Sequence, residues 1–174
     1  MDLSMLNIVD TAVKIGLGAV ISGVSAYWIA RLQHNNEIAK IKIKRYRELI
    51  EEVSTQVEEF SSATLTYWAY MIERVRCVSR KKDFPEDLPV RIKKSESELF
   101  EKFGKLASAE GKLILFGSIK AQELLREYGD YVREFRRVAW HGNSSLKEED
   151  MEKYRVEIMS RRKTLYEEIR SMYA

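Results

Sequence analysis

Residues 39–71 read AKIKIKRYRELIEEVSTQVEEFSSATLTYWAYM. Ala39, Ile43, Tyr46, Ile50, Val53, Val57, Phe60, Thr64, Tyr67 and Met71 follow one another at alternating intervals of four and three. That alternation is a heptad seam along one face of an α-helix. Neither proline nor glycine interrupts residues 33–79. A helix of that extent would run roughly 70 Å at 1.5 Å per residue. The seam can be filled by later parts of the same chain or by a second chain, and the pattern is compatible with both.

Downstream, residues 81–89 hold Pro85 and Pro89 among Asp83, Glu86 and Asp87, which predicts a loop. Ile92, Leu99, Leu106 and Leu113 then recur every seven residues, with Phe100, Phe103, Ala107 and Ile114 widening the face of a second helix. Gly117 is placed to close that helix and Ser118 to cap the next. A third helix presents Leu124, Tyr128, Tyr131, Phe135 and Val138, and Gly142-Asn143 stops it. Ser145 with Glu148 has the spacing of a capping box for a fourth helix carrying Met151, Tyr154, Ile158, Leu165, Ile169 and Met172. Only two prolines and eight glycines in 174 residues agree with long helices. Short connections imply antiparallel neighbours. The expected fold is therefore all-α, an antiparallel four-helix bundle.

Upstream, residues 15–30 read IGLGAVISGVSAYWIA, without a formal charge. With Lys14 snorkelling and Tyr27 and Trp28 at an interface, this predicts an N-terminal transmembrane helix that continues into the long first helix. Val24-Ser25-Ala26 resembles a cleavage site, but the preceding region holds Asp2 and Asp10, so an uncleaved signal anchor is expected over a cleaved signal peptide. Arg31, Lys40, Lys42, Lys44, Arg45 and Arg47 follow the run. By the positive-inside rule they place the C-terminal bundle in the cytoplasm and the N-terminus outside, as a single-pass protein of the inner membrane. Gly18, Ser22, Gly23, Ala26 and Ala30 form a small-residue stripe suited to close packing of membrane helices. The expected divisions are 1–32 for the anchor, 33–47 for a basic helical neck and 48–174 for the bundle. In the neck, Lys40, Lys44 and Arg47 share a face and would meet anionic lipid headgroups.

The formal net charge of +3 is too small to point to nucleic acid. One cysteine, Cys77, excludes an intramolecular disulfide and a cysteine-cluster metal site. The two histidines, His34 and His141, stand in no metal-ligand spacing, and no phosphate-cradling loop or cofactor motif occurs, so neither metal nor cofactor is expected. At the far end of the bundle, Arg80, Lys81 and Lys82 with Trp140 form a candidate partner-binding tip, since Trp and Arg are favoured anchors.

Residues 136–141 read RRVAWH. The spacing of Arg136 and His141 resembles the Arg-x(4–6)-His signature of HEPN ribonucleases, which are also helical. That resemblance implies metal-independent RNA cleavage, with Arg136 stabilising phosphate charge and His141 as acid or base. Arg137 departs from the Asn, Asp or His that often follows the arginine in that family. Residues 112–125, KLILFGSIKAQELL, resemble a segment of uncharacterised bacterial proteins with one membrane helix and a helical cytoplasmic domain, which implies no activity. The leading expectation is a membrane-anchored helical adaptor or assembly subunit, non-enzymatic, acting on a protein partner or as a homo-oligomer. The alternatives are a membrane-linked sensor that transmits movement through the first helix, and the ribonuclease.

Overall fold

The computed structural model describes the backbone of residues 3–172 and the side chains of residues 22–34 and 37–172. Every element among the described residues is a helix: α1 (Leu3–Ser79), α2 (Leu88–Leu115), α3 (Ile119–Val138) and α4 (Glu148–Ser171). Two compact units divide the chain between Tyr46 and Arg47.

In the second unit the seam on α1 is the core. Val53, Val57, Phe60, Tyr67 and Met71 are buried, as are Ile72 and Val75 beyond them. Phe60 sits edge-on to Phe103 of α2 (5.0 Å between centroids) and to Tyr128 of α3 (5.5 Å). Tyr67 meets Phe135 in the same way at 5.9 Å. Such edge-to-face pairs add about 0.5–1.5 kcal/mol each beyond their buried area. Two polar residues sit in this core without penalty because their hydroxyls bond locally. Thr64 donates to the Phe60 carbonyl (2.8 Å) and Ser61 to that of Val57 (2.7 Å). The Tyr128 hydroxyl donates in turn to Ser61 Oγ at 3.0 Å. Ion pairs fringe the packing: Glu52 with Lys112, Glu59 with Lys102 (2.9 Å), Glu73 with Arg91 (3.5 Å) and Glu58 with Arg162 (2.6 Å).

The helix ends differ in detail from the spacing-based expectation. Pro89 lies inside the first turn of α2 rather than in the loop. A first-turn residue has no intrahelical acceptor for its N–H, so proline costs nothing there. Gly117 adopts φ +71° and, with Ser118, closes α2 through bonds to the Ile114 and Leu113 carbonyls (2.9 and 3.0 Å). Lys81 takes the equivalent left-handed position after α1, at φ +51°. Ser145 does not cap α4, because its hydroxyl is spent on Asn143 Oδ1 at 2.7 Å. The box forms two residues later, where the Lys147 N–H donates to the Asp150 carboxylate at 3.3 Å. On α3 the buried leucine is Leu125, not Leu124, and on α2 Phe100 and Ala107 are exposed while Ala109 is buried.

The membrane anchor does not stand. Among the described residues no helix is long and apolar enough to cross a membrane. The physical reason is length. The uncharged run 15–30 falls short of the about 20 residues a bilayer core requires, and Lys14 and Arg31 bound it. Serines and glycines dilute it further. The single-pass topology and inner-membrane location inferred from it, with the N-terminus outside and the bundle in the cytoplasm, are withdrawn with it. The side chains of residues 15–21, including Gly18 of the small-residue stripe, lie outside the described residues.

Candidate functional site

Residues from α1, α2 and the α1–α2 and α3–α4 connections line a half-open cavity of 570 Å³ in the second unit. Phe84, Leu88, Pro89 and Ile92 form its apolar wall, and Arg74, Lys93, Glu96 and His141 its polar groups. Leu88 and Ile92 reach it from the first turns of α2, one helical turn apart, so both present the same face. Arg74 is held in place by donating to the Asn143 carbonyl at 3.2 Å. Burial pulls its guanidinium below its ordinary value, yet it remains a cation. Lys93, one position beyond Ile92, is exposed and has no hydrogen-bond or ion-pair partner among the described residues. Glu96 is already paired, with Arg136 at 3.5 Å. Below the cavity the Tyr67 hydroxyl donates to the Ala139 carbonyl, and burial, with the Glu96 carboxylate nearby, pushes it well above its ordinary value.

Of the Arg-x(4–6)-His pattern, Arg136 meets this same carboxylate and His141 lines the same cavity. Arg136 pairs with Glu96 and lies 5.5 Å over the Phe100 ring. His141 lines the cavity with Glu96, and its ring stands edge-on to Trp140 at 5.6 Å. Trp140 is 51% exposed and rests on Gly142, where a Cβ would collide with the indole. Of the basic tip, Arg80 pairs with Glu148 at 3.8 Å, while Lys81 and Lys82 are exposed. Arg76 also pairs with Glu148, at 3.1 Å, so the end of α1 meets the start of α4.

A different surface occupies the first unit. Every described side chain over 22–45 is exposed. Among them are Tyr27, Trp28 (61%), Ile29, Leu32, Ile38, Ile41 and Ile43 (54%). Ser22, Gly23, Ala26 and Ala30 of the small-residue stripe are exposed with them, and a Cβ on Gly23 would meet nothing within 4 Å. Lys40, Lys44 and Arg47 are exposed as well. In the heptad frame of the seam, Lys40 and Lys42 flank Ala39 and Ile43 on either side. A third exposed apolar group, Ile114, Leu115 (84%) and Ile119, surrounds the turn at Gly117.

Sequence reasoning singled out His141 and Arg136 only through the ribonuclease resemblance, and did not bring Arg74, Lys93, Glu96 and the apolar wall together. No short-range pattern signals them, because they come together only through packing of separate helices. No protein-family model, curated protein or solved structure matches the chain.

Proposed function

We propose that the chain is a helical adaptor or assembly subunit acting through protein–protein interaction, and that its partner is an acidic amphipathic helix received along α1 before Arg47. The observation that carries this is the exposure of every described side chain over 22–45, large apolar ones among them. Helices in proteins gain most of their stability from packing an apolar face, and contiguous exposed apolar surface marks an interaction site. The charge pattern supports an acidic occupant. Lys40 and Lys42 border the seam at the positions where coiled-coil partners place complementary charges. A second copy of this chain in parallel register would set Lys42 against Arg47 there. The reading takes the bundle as an antiparallel scaffold. Support comes from the order of its ion pairs, in which Glu52, Glu59 and Glu73 along α1 meet Lys112, Lys102 and Arg91 along α2 in reverse. The ribonuclease alternative requires Arg136 open to a phosphate, and Glu96 and Phe100 hold it instead.

The test uses the full chain and a synthetic helix with leucine at the seam positions and glutamate at the flanking ones. The expected result is saturable binding, followed by Trp28 fluorescence, that weakens with salt and loses about tenfold with Lys40→Glu plus Lys42→Glu. A matching peptide with lysine flanks should not bind. A stable dimer of the chain alone by sedimentation, dissociated by Ile43→Asp, would replace the acidic partner with a second copy. Absence of binding to the acidic helix overturns the proposal.

A further inference from the structure

The cavity beside Leu88 carries an inference independent of the α1 surface. We infer that it is a binding site for a small anionic amphiphile, a carboxylate or phosphate head on a flexible apolar body. Its volume of 570 Å³ lies in the range of small-molecule sites, about 300–1,000 Å³. Its wall of Phe84, Leu88, Pro89 and Ile92 is apolar, which suits a hydrocarbon or aromatic body. The polar groups are biased to one sign. The cations Arg74 and Lys93 face the cavity, with the His141 imidazole also in its lining, against a single carboxylate, Glu96, whose charge is balanced by Arg136 at 3.5 Å. Arg74 is fixed by its bond to the Asn143 carbonyl, which leaves its other guanidinium nitrogens for a second acceptor. Lys93 is exposed at the cavity, a mobile cation able to close over a bound head group. An apolar pocket with a few convergent cations selects a ligand that is apolar at one end and anionic at the other.

The site makes its demands separable. The apolar wall alone would take decanol as well as decanoate. The cations alone would take any anion. The neighbouring Lys94 provides a control of identical charge change, since it points to Glu98 at 3.9 Å and does not line the cavity. Calorimetric titration of the full chain with decanoate, decyl phosphate and decanol, each kept below its micelle concentration, tests the inference. One saturable site is expected for at least one of the two anions, and their relative affinities identify the preferred head. Decanol should bind at least tenfold more weakly than that anion. Lys93→Glu should weaken the anion at least tenfold, and Lys94→Glu should leave it within twofold. Both variants change exposed side chains, and circular dichroism should read them as folded. Equal losses from Lys93→Glu and Lys94→Glu would reduce the effect to general surface charge and overturn the site. Decanol binding as tightly as both anions, or no saturable binding of either anion, would overturn it as well. None of these outcomes depends on whether the acidic helix binds α1.

Discussion

The two stretches of α1 on either side of Tyr46 make an instructive pair. Both carry the same heptad register, Ala39 and Ile43 before it and Ile50, Val53, Val57 and Phe60 after it. Before Tyr46 the register is exposed, with Ile43 more than half accessible. After it, from Ile50 on, the register is buried, with Val57 and Phe60 fully so. The flanking residues differ in kind. Lys40 and Lys42 stand beside the exposed seam, where the buried seam has Ser54, Gln56 and Ser61, and Glu52, Glu58 and Glu59 lie further round the helix and pair with Lys112, Arg162 and Lys102 of other helices. A periodic apolar face is a demand for a partner. The buried face found its partners within the chain, and the lysines beside the exposed face suit an acidic one.

The largest effect should separate the two stretches outright. Phe60→Ala removes a ring in contact with Phe103 and Tyr128 and should lower the free energy of unfolding by about 3–5 kcal/mol in urea titration. Ile43→Ala should stay within about 0.5 kcal/mol. Similar losses at both positions would break the comparison, because they would mean that Ile43 is packed.

A smaller effect tests the polar end of the buried stretch. Tyr67→Phe leaves the Ala139 carbonyl without its donor and should cost about 1–3 kcal/mol. The same tyrosine sharpens the alkaline limit. Burial raises the hydroxyls of Tyr67 and Tyr128 above the ordinary value of 10, and that of Tyr166 to about 12. In the unfolded chain these groups lose their protons near 10, before the folded protein does. Their contribution is therefore complete below pH 10 and is lost as the pH rises from there toward 12. Urea midpoints at pH 9 and 11 should show this fall, and Tyr67→Phe should make it shallower.

The smallest effect concerns the acidic flank. The hydrogen bond from Lys102 holds the Glu59 carboxyl below its ordinary value of 4.5. Its contribution is present above 4.5 and lost as the pH falls through the folded value. Both side chains reach solvent, so a double-mutant cycle on Glu59→Gln and Lys102→Met should detect only a slight coupling that high salt abolishes. A coupling that survives salt would show a drier fringe than the exposures imply.

Much of the fold was legible in spacing. Ile92, Leu99, Leu106 and Leu113 are buried, as their seven-residue recurrence requires. Phe100 was misread because it lies one position from Leu99. A helix turns by about 100° per residue, enough to carry that ring out of the core and under the Arg136 guanidinium. Leu124 and Leu125 pose the same problem, since both are leucine and only the rotation of α3 against its neighbours selects Leu125. The anchor was misread for another reason. Absence of charge over 15–30 was weighed above length, and the length is insufficient. Of the cavity, only His141 stood out, because histidines are scarce in this chain while arginine, lysine and glutamate are abundant.

By itself the sequence determined the helical state, the seven-residue recurrence buried on α2 and the break at Gly117. These are encoded in intervals of a few residues and in backbone preferences that act locally. Which part of the α1 register is covered, which of two adjacent leucines enters the core, and which charged side chains border the cavity were decided only by the tertiary structure. The physical reason is that burial and electrostatic surroundings depend on atoms far away in the chain. Glu96 of α2 and His141 of the α3–α4 connection line one cavity, and no interval along the sequence records that they share it.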